Sequence, residues 1–327
     1  MRRVTKRIGW GLLLCLPLLV FLSFRCCALD SDKKTSDALS HYIMAVLYDR
    51  QDKLDQAITE YKLALKQDYN NSVIHLNLAA AYIRDNQFEE AIAELNIASE
   101  LAPDAVEPHA ILALIYSLQD QPEAAGAAYE SALKKASKLQ PENIDIYKSL
   151  GQFYFQQGNF AAAAGIFRTV LELSVDDAEA HFYLGNIYYE LDDKFGIETE
   201  LREAVRLDPE YAEALNFLGY FLVEEGRNFK EASRLIQKAL KISPDNGAYI
   251  DSLGWLYFKQ GKFKEALSQL RRSAELMEDP IIYDHLGDAY FAVGDQQKAI
   301  ENWQRSLDLD PQQEAVKNKI DGHNLEE

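Results

Sequence analysis

The sequence predicts an all-α chain built as a solenoid of about eight helical hairpins, and three observations carry that prediction. The first is spacing. From Tyr249 to Leu270, Leu253, Gly254 and Tyr257 share one face, Gly261 interrupts, and Phe263, Ala266, Leu267 and Leu270 open a second face. Apolar residues at i, i+3 and i+4 mark an amphipathic helix, whereas a half-buried strand would alternate. The second is recurrence. The small residue at Gly254 returns as Ala45, Ala79, Ala113, Gly151, Gly185, Gly219 and Gly287, in steps of 34, 34, 38, 34, 34, 35 and 33 residues. The third is punctuation, with prolines at Pro103, Pro141, Pro209, Pro244 and Pro311 closing units where a helix must stop.

Each hairpin repeats the same internal pattern. Three residues after the small marker stands Tyr48, Tyr82, Tyr116, Tyr154, Tyr188, Leu222, Tyr257 or Tyr290. Twelve or thirteen residues after it a second small residue follows, at Ala57, Ala91, Ala125, Ala163, Ala232, Ala266 and Ala299, with Ile197 in the fifth unit. Small residues at these two places let the paired helices approach closely, and the tyrosines recur with the packing period, so they are expected to be core. One hairpin cannot bury its apolar face alone; stacked copies bury a continuous core, and this frees a chain of 327 residues from the size limit of a single core.

This ladder resembles the tetratricopeptide repeat family over roughly residues 38 to 313. The resemblance implies a right-handed superhelical solenoid with units at about 38–71, 72–105, 106–143, 144–177, 178–211, 212–246, 247–279 and 280–313. Units one and four lack the closing proline, and four residues are inserted near Ala136 to Gln140.

The ends differ from the ladder. Arg2, Arg3, Lys6 and Arg7 precede an apolar run from Ile8 to Phe24. A basic start before an apolar core is the layout of a secretory leader, with Cys26-x-Ala28 offering a small-residue cleavage site, and 17 residues also reach the lower limit for an uncleaved membrane anchor. Residues 1–28 are therefore read as a signal peptide or N-terminal anchor, and the remainder as exported to a periplasmic or other extracytoplasmic space. All three cysteines, Cys15, Cys26 and Cys27, lie in that segment, so the repeats need no disulfides. Residues 29–37 read as a short, flexible polar spacer. Residues 314–327 read as a capping helix, with Ala315, Val316 and Ile320 over the last unit, followed by a fraying tail.

The formal net charge of −18 disfavours nucleic acid as a partner. Loss of residues 1–28 would remove five basic residues and no acidic one. No HExxH, paired CxxC, nucleophile elbow or phosphate loop is present, so no enzyme and no cofactor is expected. The Gly-Lys pair at Gly261 lacks the upstream glycine and the following hydroxyl of a phosphate loop and reads as a hairpin turn. His41, His75, His109 and His181 occupy equivalent places in different units. Successive layers are about 10 Å apart, and zinc needs ligands at about 2 Å. These histidines are read as packing residues and no metal is expected. Asp284, His285 and Asp288 form a tighter cluster, read as a solvated or groove-lining face.

In the family this chain resembles, the first helices of successive units line a groove that grips extended peptides or helices. Carried over through the marker residue, the protein-binding positions are Phe155, Phe182, Tyr183, Asn186, Tyr189, Asn216, Phe217, Tyr220, Asp251, Trp255, Phe258, Asp284, Asp288 and Phe291, with Gln152, Glu190 and Glu224 interleaved. Aromatic anchors beside asparagines suit peptide binding, and the carboxylates favour a basic ligand. Arg50, Arg84, Lys148 and Lys259 are scattered, so the family's clamp for acidic tails is not expected. The sequence thus points to a non-catalytic adaptor binding a protein or peptide, set by its leader in a cell-envelope assembly. Two alternatives stand beside it: a self-associating, membrane-tethered structural protein, and an accessory subunit of an envelope enzyme such as a glycosyl transferase.

Overall fold

The computed structural model describes residues 16–324, with side chains described for residues 33–322. Every regular element among them is helical. The chain divides into two compact units, Met1–Pro141 and Glu142–Glu327. The first holds three hairpins: α1 (Leu16–Arg50) with α2 (Leu54–Gln67), α3 (Ser72–Arg84) with α4 (Phe88–Leu101), and α5 (Glu107–Leu118) with α6 (Pro122–Leu139). The second holds five: α7 (Ile144–Gln156) with α8 (Phe160–Leu173), α9 (Ala178–Glu190) with α10 (Lys194–Leu207), α11 (Ala212–Glu224) with α12 (Phe229–Ile242), α13 (Gly247–Lys259) with α14 (Phe263–Leu276), and α15 (Pro280–Ala292) with α16 (Gln296–Leu309). A last helix, α17 (Glu314–Asn324), follows. The all-α solenoid of paired helices expected from the repeat ladder is what the chain forms.

The turn within each hairpin has one physical cause. Asp52, Asn86, Asp120, Gly158, Asp192, Gly226, Gly261 and Gly294 all have φ between 52° and 87°, and each stands seven residues after its marker. A left-handed residue just past a helix C-terminus ends the helix, and glycine, Asn and Asp tolerate it best. Between hairpins the side chain of Asn71, Asn143, Asp177, Asn246 or Asp279 caps the next first helix by accepting from a backbone N–H. The small markers meet the residue sixteen positions later: a Cβ added at Gly254 would stand 2.7 Å from Leu270 Cγ, and one at Gly185 2.8 Å from a Leu201 methyl. The boundary between the units falls at the inserted residues, where α6 runs to 18 residues against 14 in the other second helices.

The ends depart from the simplest reading of composition. Residues 29–37 are helical, continuous with α1, because no glycine or proline stands between Leu18 and Arg50 to stop the helix. The leader or anchor predicted for residues 1–28 lies outside the residues whose side chains are described. No helix among the described residues is long and apolar enough to cross a membrane. At the other end Val316 is buried with Ala299 and Trp303 against Ile320, so α17 closes the last hairpin.

Three of the four repeat histidines are tied to the second helix of their own hairpin. His41 Nδ1 meets Glu60 at 2.7 Å, His75 Nδ1 meets Glu94, and His181 Nδ1 meets Glu200 at 2.6 Å, each glutamate 19 residues on. His109 breaks the series because Ala128 stands where the glutamate would be. Its pKa is lowered by burial and, secondarily, by the nearby Lys135 charge.

Candidate functional site

The expected groove residues lie on the first helices α7, α9, α11, α13 and α15 of the second unit, where a simple register rule connects neighbours. The residue three before one marker touches the residue near two before the next. Phe182 meets Phe217 with ring centroids 6.4 Å apart, Asp251 meets His285 at 3.0 Å, and Asp284 meets Lys319 of α17 at 2.6 Å. In the first unit Asn77 Nδ2 donates to Tyr42 Oη at 2.9 Å by the same rule. Side chains on this wall therefore partner one another along the stack before any ligand arrives.

Between α7 and α11 the wall is aromatic. Phe155 lies edge-on to Tyr183 at 5.9 Å, and Tyr183 stacks on Phe167 of α8 at 4.7 Å. Phe182 contacts Tyr211 at 5.0 Å, and Tyr189 meets Phe217 at 5.4 Å. Phe155, Phe182, Tyr183 and Phe217 are half-buried, while Tyr189 remains 46% exposed. Asn186 Nδ2 donates to the Phe182 carbonyl at 2.8 Å, leaving its side-chain oxygen free of that bond. Asn216 Oδ1 is buried without a hydrogen-bond partner. Ser252, its neighbour by the register rule, donates instead to the Ala248 carbonyl at 3.0 Å. Beside this wall Lys148 is held by Asp177 at 2.7 Å and Glu179 at 2.9 Å.

Between α11 and α17 the wall closes into a polar-aromatic core. Trp255 is only 7% exposed, stacked on Phe258 at 4.7 Å and on His285 at 3.9 Å. Its Nε1 donates to Glu224. Asp251 and His285 are each 5% exposed. Burial alone would lower the His285 pKa; the Asp251 charge and hydrogen bond, with Asp284 and Glu224, outweigh it and hold the pKa above the ordinary imidazole value. Tyr220 lies 6.4 Å from His285, and burial, then the Glu224 charge, raises its pKa. Asp288 accepts from Trp303 Nε1 at 3.0 Å and pairs with Lys319 at 2.7 Å. Burial raises the Asp284 pKa, and its hydrogen bond to Lys319 opposes the rise. Phe291, at 40% exposure, stays open at the rim.

Sequence reasoning therefore located the wall but not its occupancy. Tyr220, Asp251, Trp255, Asp284 and Asp288 come together as mutual partners, and of the carboxylates read as attracting a basic ligand Glu224, Asp251, Asp284 and Asp288 are already engaged. His285, read as part of a solvated or groove-lining cluster, is instead buried in that network against Asp251. Lys319 escaped notice, although it stands where the first helix of a ninth unit would place a groove residue. Among the described residues no group of three or more His, Cys, Asp or Glu side chains is placed to hold a metal ion.

The chain is similar to known proteins. The "Type IV pilus assembly protein PilF" of Pseudomonas aeruginosa is 30% identical over 144 residues, 43% of this chain and 57% of that protein. The "TPR repeat-containing protein PA4667" of the same organism is 39% identical over 92 residues, 28% of this chain and 16% of its own length. The matches thus span well under two thirds of either relative. Among solved structures, a tetratricopeptide repeat protein from Parabacteroides merdae superposes with a TM-score of 0.57 at 17% identity, covering 76% of this chain and 97% of that one. Residues 50–115 match the tetratricopeptide repeat, and residues 105–321 match the cilia and flagella-associated protein 70 C-terminal domain. With the period, the paired helices, the left-handed turns and these matches in agreement, the chain belongs to the tetratricopeptide repeat family.

Proposed function

We propose that this chain is a non-catalytic adaptor that holds a peptide or helical segment of a partner protein against the first-helix wall of its second compact unit. The observation that carries the reading is the aromatic stretch from Phe155 to Phe217. Its rings are fixed from behind by one another and by α8, yet keep open edges, with Tyr189 the most exposed and Asn186 beside it. Rigid rings with exposed edges bury area on a ligand at little entropic cost. Trp255 is too buried to serve first, so the test falls on Tyr189 and Phe217. Photo-crosslinking from position 186 in native membranes should give one dominant adduct, and Tyr189→Ala with Phe217→Ala should abolish it while far-UV helicity is retained. A full adduct yield in the folded double variant would refute the assignment.

The setting is a cell-envelope assembly, with the protein exported and held near the membrane by residues 1–28. The basic start and apolar run support this, and similarity to a pilus assembly protein is consistent with it. Protease accessibility of the repeats in intact spheroplasts tests it; full protection would place the repeats inside. A preference for a basic ligand rests on Glu190, which is exposed.

The self-associating alternative has one observation in its favour. Met44 and Leu47 of α1 are 40% and 45% exposed, although the same two register positions are 0% to 3% exposed at Leu78 and Ala81, Leu184 and Ile187, and Leu218 and Phe221. Those later pairs are covered by a preceding second helix, which α1 lacks among the described residues. Mass measured across a concentration series separates a monomer from an array.

A further inference from the structure

A second surface lies on the opposite kind of helix. The first helices of the second unit are poor in lysine and arginine: α9, α11 and α15 carry neither, and α13 carries only Lys259. Helix α12 reverses this, with Lys230, Arg234, Lys238 and Lys241 against the single carboxylate Glu231. The four cations line one cleft of about 780 Å³ together with Ser233, Gln237, Ile242 and Glu210. The cleft is neutralised from within at Lys238 alone. Glu231 is turned away to Arg202, bound at 2.8 and 3.2 Å. Glu210 pairs with Lys238 at 3.0 Å. No carboxylate among the described residues lies within ion-pair distance of Lys230, Arg234 or Lys241, whereas Lys194, Arg202 and Arg206 of α10 and Lys298 and Arg305 of α16 are all paired.

We propose that this cleft is a docking site for an acidic polypeptide segment, separate from the aromatic wall. Positions 230, 234, 238 and 241 follow one another by a helical turn, and the row spans about 16 Å at 1.5 Å per residue. A single phosphate or carboxylate reaches at most two adjacent cations of such a row. A segment bearing a carboxylate at every second residue of an extended chain presents charges about 6.6 Å apart, and one bearing them a helical turn apart presents them about 5–6 Å apart. Either matches the row. The side-chain amide of Gln237 and the hydroxyl of Ser233 lie in the same cleft to meet a ligand backbone, and Ile242 gives it one apolar end. A lipid surface would need a broad basic face, but the cations of α10 are spent on neighbours. Single-stranded nucleic acid would need rings on which to stack its bases, and the cleft is lined by none. In a chain of net charge −18 the overall field opposes any polyanion, so binding there requires this local row.

The test uses the full chain and a fluorescein-labelled twelve-residue peptide with glutamate at every second position, read by anisotropy at about 20 and 150 mM NaCl. The expected result is saturable binding that weakens with salt and falls at least tenfold in Lys230→Gln/Arg234→Gln/Lys241→Gln. These three side chains make no ion pair, so helicity and unfolding midpoint should be unchanged. Lys264→Gln/Arg271→Gln on α14 removes two charges outside the cleft and should weaken binding less than threefold. Equal losses in the two variants would reduce the effect to net charge and overturn the proposal. No binding by the unmodified chain would overturn it, as would tighter binding of oligo(dT) or of anionic vesicles (phosphatidylglycerol in phosphatidylcholine) than of the peptide. Tyr189→Ala/Phe217→Ala should leave peptide binding intact, so failure of the wall and failure of the cleft are distinguishable.

Discussion

Replacing His285 with leucine removes the cation that Asp251 faces. Asp251 is 5% exposed, and no other cation lies within ion-pair distance of it among the described residues. Stripping the partner from a buried ion pair costs about 3–5 kcal/mol, because the remaining charge has neither water nor counter-ion. The stacking of the imidazole on Trp255 at 3.9 Å is lost as well, a further 0.5–1.5 kcal/mol or about that. In an Asp251→Asn background the same change strands only a neutral amide, which costs about 1–3 kcal/mol. The cost of His285→Leu should therefore drop by about 2 kcal/mol or more when Asn replaces Asp251. The assay is urea unfolding of the four proteins at pH 6 followed by far-UV circular dichroism. Amide exchange in α13 and α15 reports the local loss, since repeat units are stabilised by nearest neighbours. Agreement of the two costs within about 0.5 kcal/mol would show the pair to be energetically independent, and the reading of the α11–α17 wall as a charge-paired core would fail.

The same pair predicts a pH dependence. The folded His285 pKa is raised, so its contribution is fully present below about 6.5, the unfolded imidazole value. It is lost as pH rises through the higher folded value. The unfolding midpoint of the parent protein should fall between pH 6 and 9 more than that of His285→Leu, and parallel curves would contradict the assignment. Gly254→Val forces a Cβ to 2.7 Å from Leu270 Cγ and should cost about 1–3 kcal/mol by overpacking, measured as a lower urea midpoint; an unchanged midpoint would mean the hairpin separates freely. Asn216→Leu removes the buried, unpartnered Oδ1 and should be neutral or stabilising by about 1 kcal/mol, whereas a clear loss of stability would reveal a partner for that oxygen. Lys148→Met breaks the links to Asp177 and Glu179 on a side chain that is 20% exposed, and should cost about 1–2 kcal/mol in the same titration.

The wall shows how far the sequence reaches. The rows of groove positions follow from the marker residues alone, because helical period and repeat length fix which side chains share a face. The His–Glu ties were legible too: a glutamate stands 19 residues after His41, His75 and His181, and alanine stands there after His109. What the pattern does not encode is whether neighbouring rows fill one another. Tyr220 and Trp255 each stand one residue after their markers, yet Trp255 is sandwiched between Phe258 and His285 at 7% exposure while Tyr220 is only half-buried. The difference lies in the identities facing them across the stack, some 30 residues away.

By itself the sequence determined the helical class, the number of hairpins, the turn residues and the wall, since these depend on local periodicity and on contacts repeated at a fixed interval. Only the tertiary structure decided that Asp251, Trp255, Glu224 and His285 form one network, that Lys319 satisfies Asp284 and Asp288, and that Lys230, Arg234 and Lys241 of α12 share one cleft without an ion-pair partner among the described residues. Those outcomes depend on which charged and aromatic side chains meet across separate layers, and burial energies of several kcal/mol turn on distances of a few ångströms that no repeat period specifies.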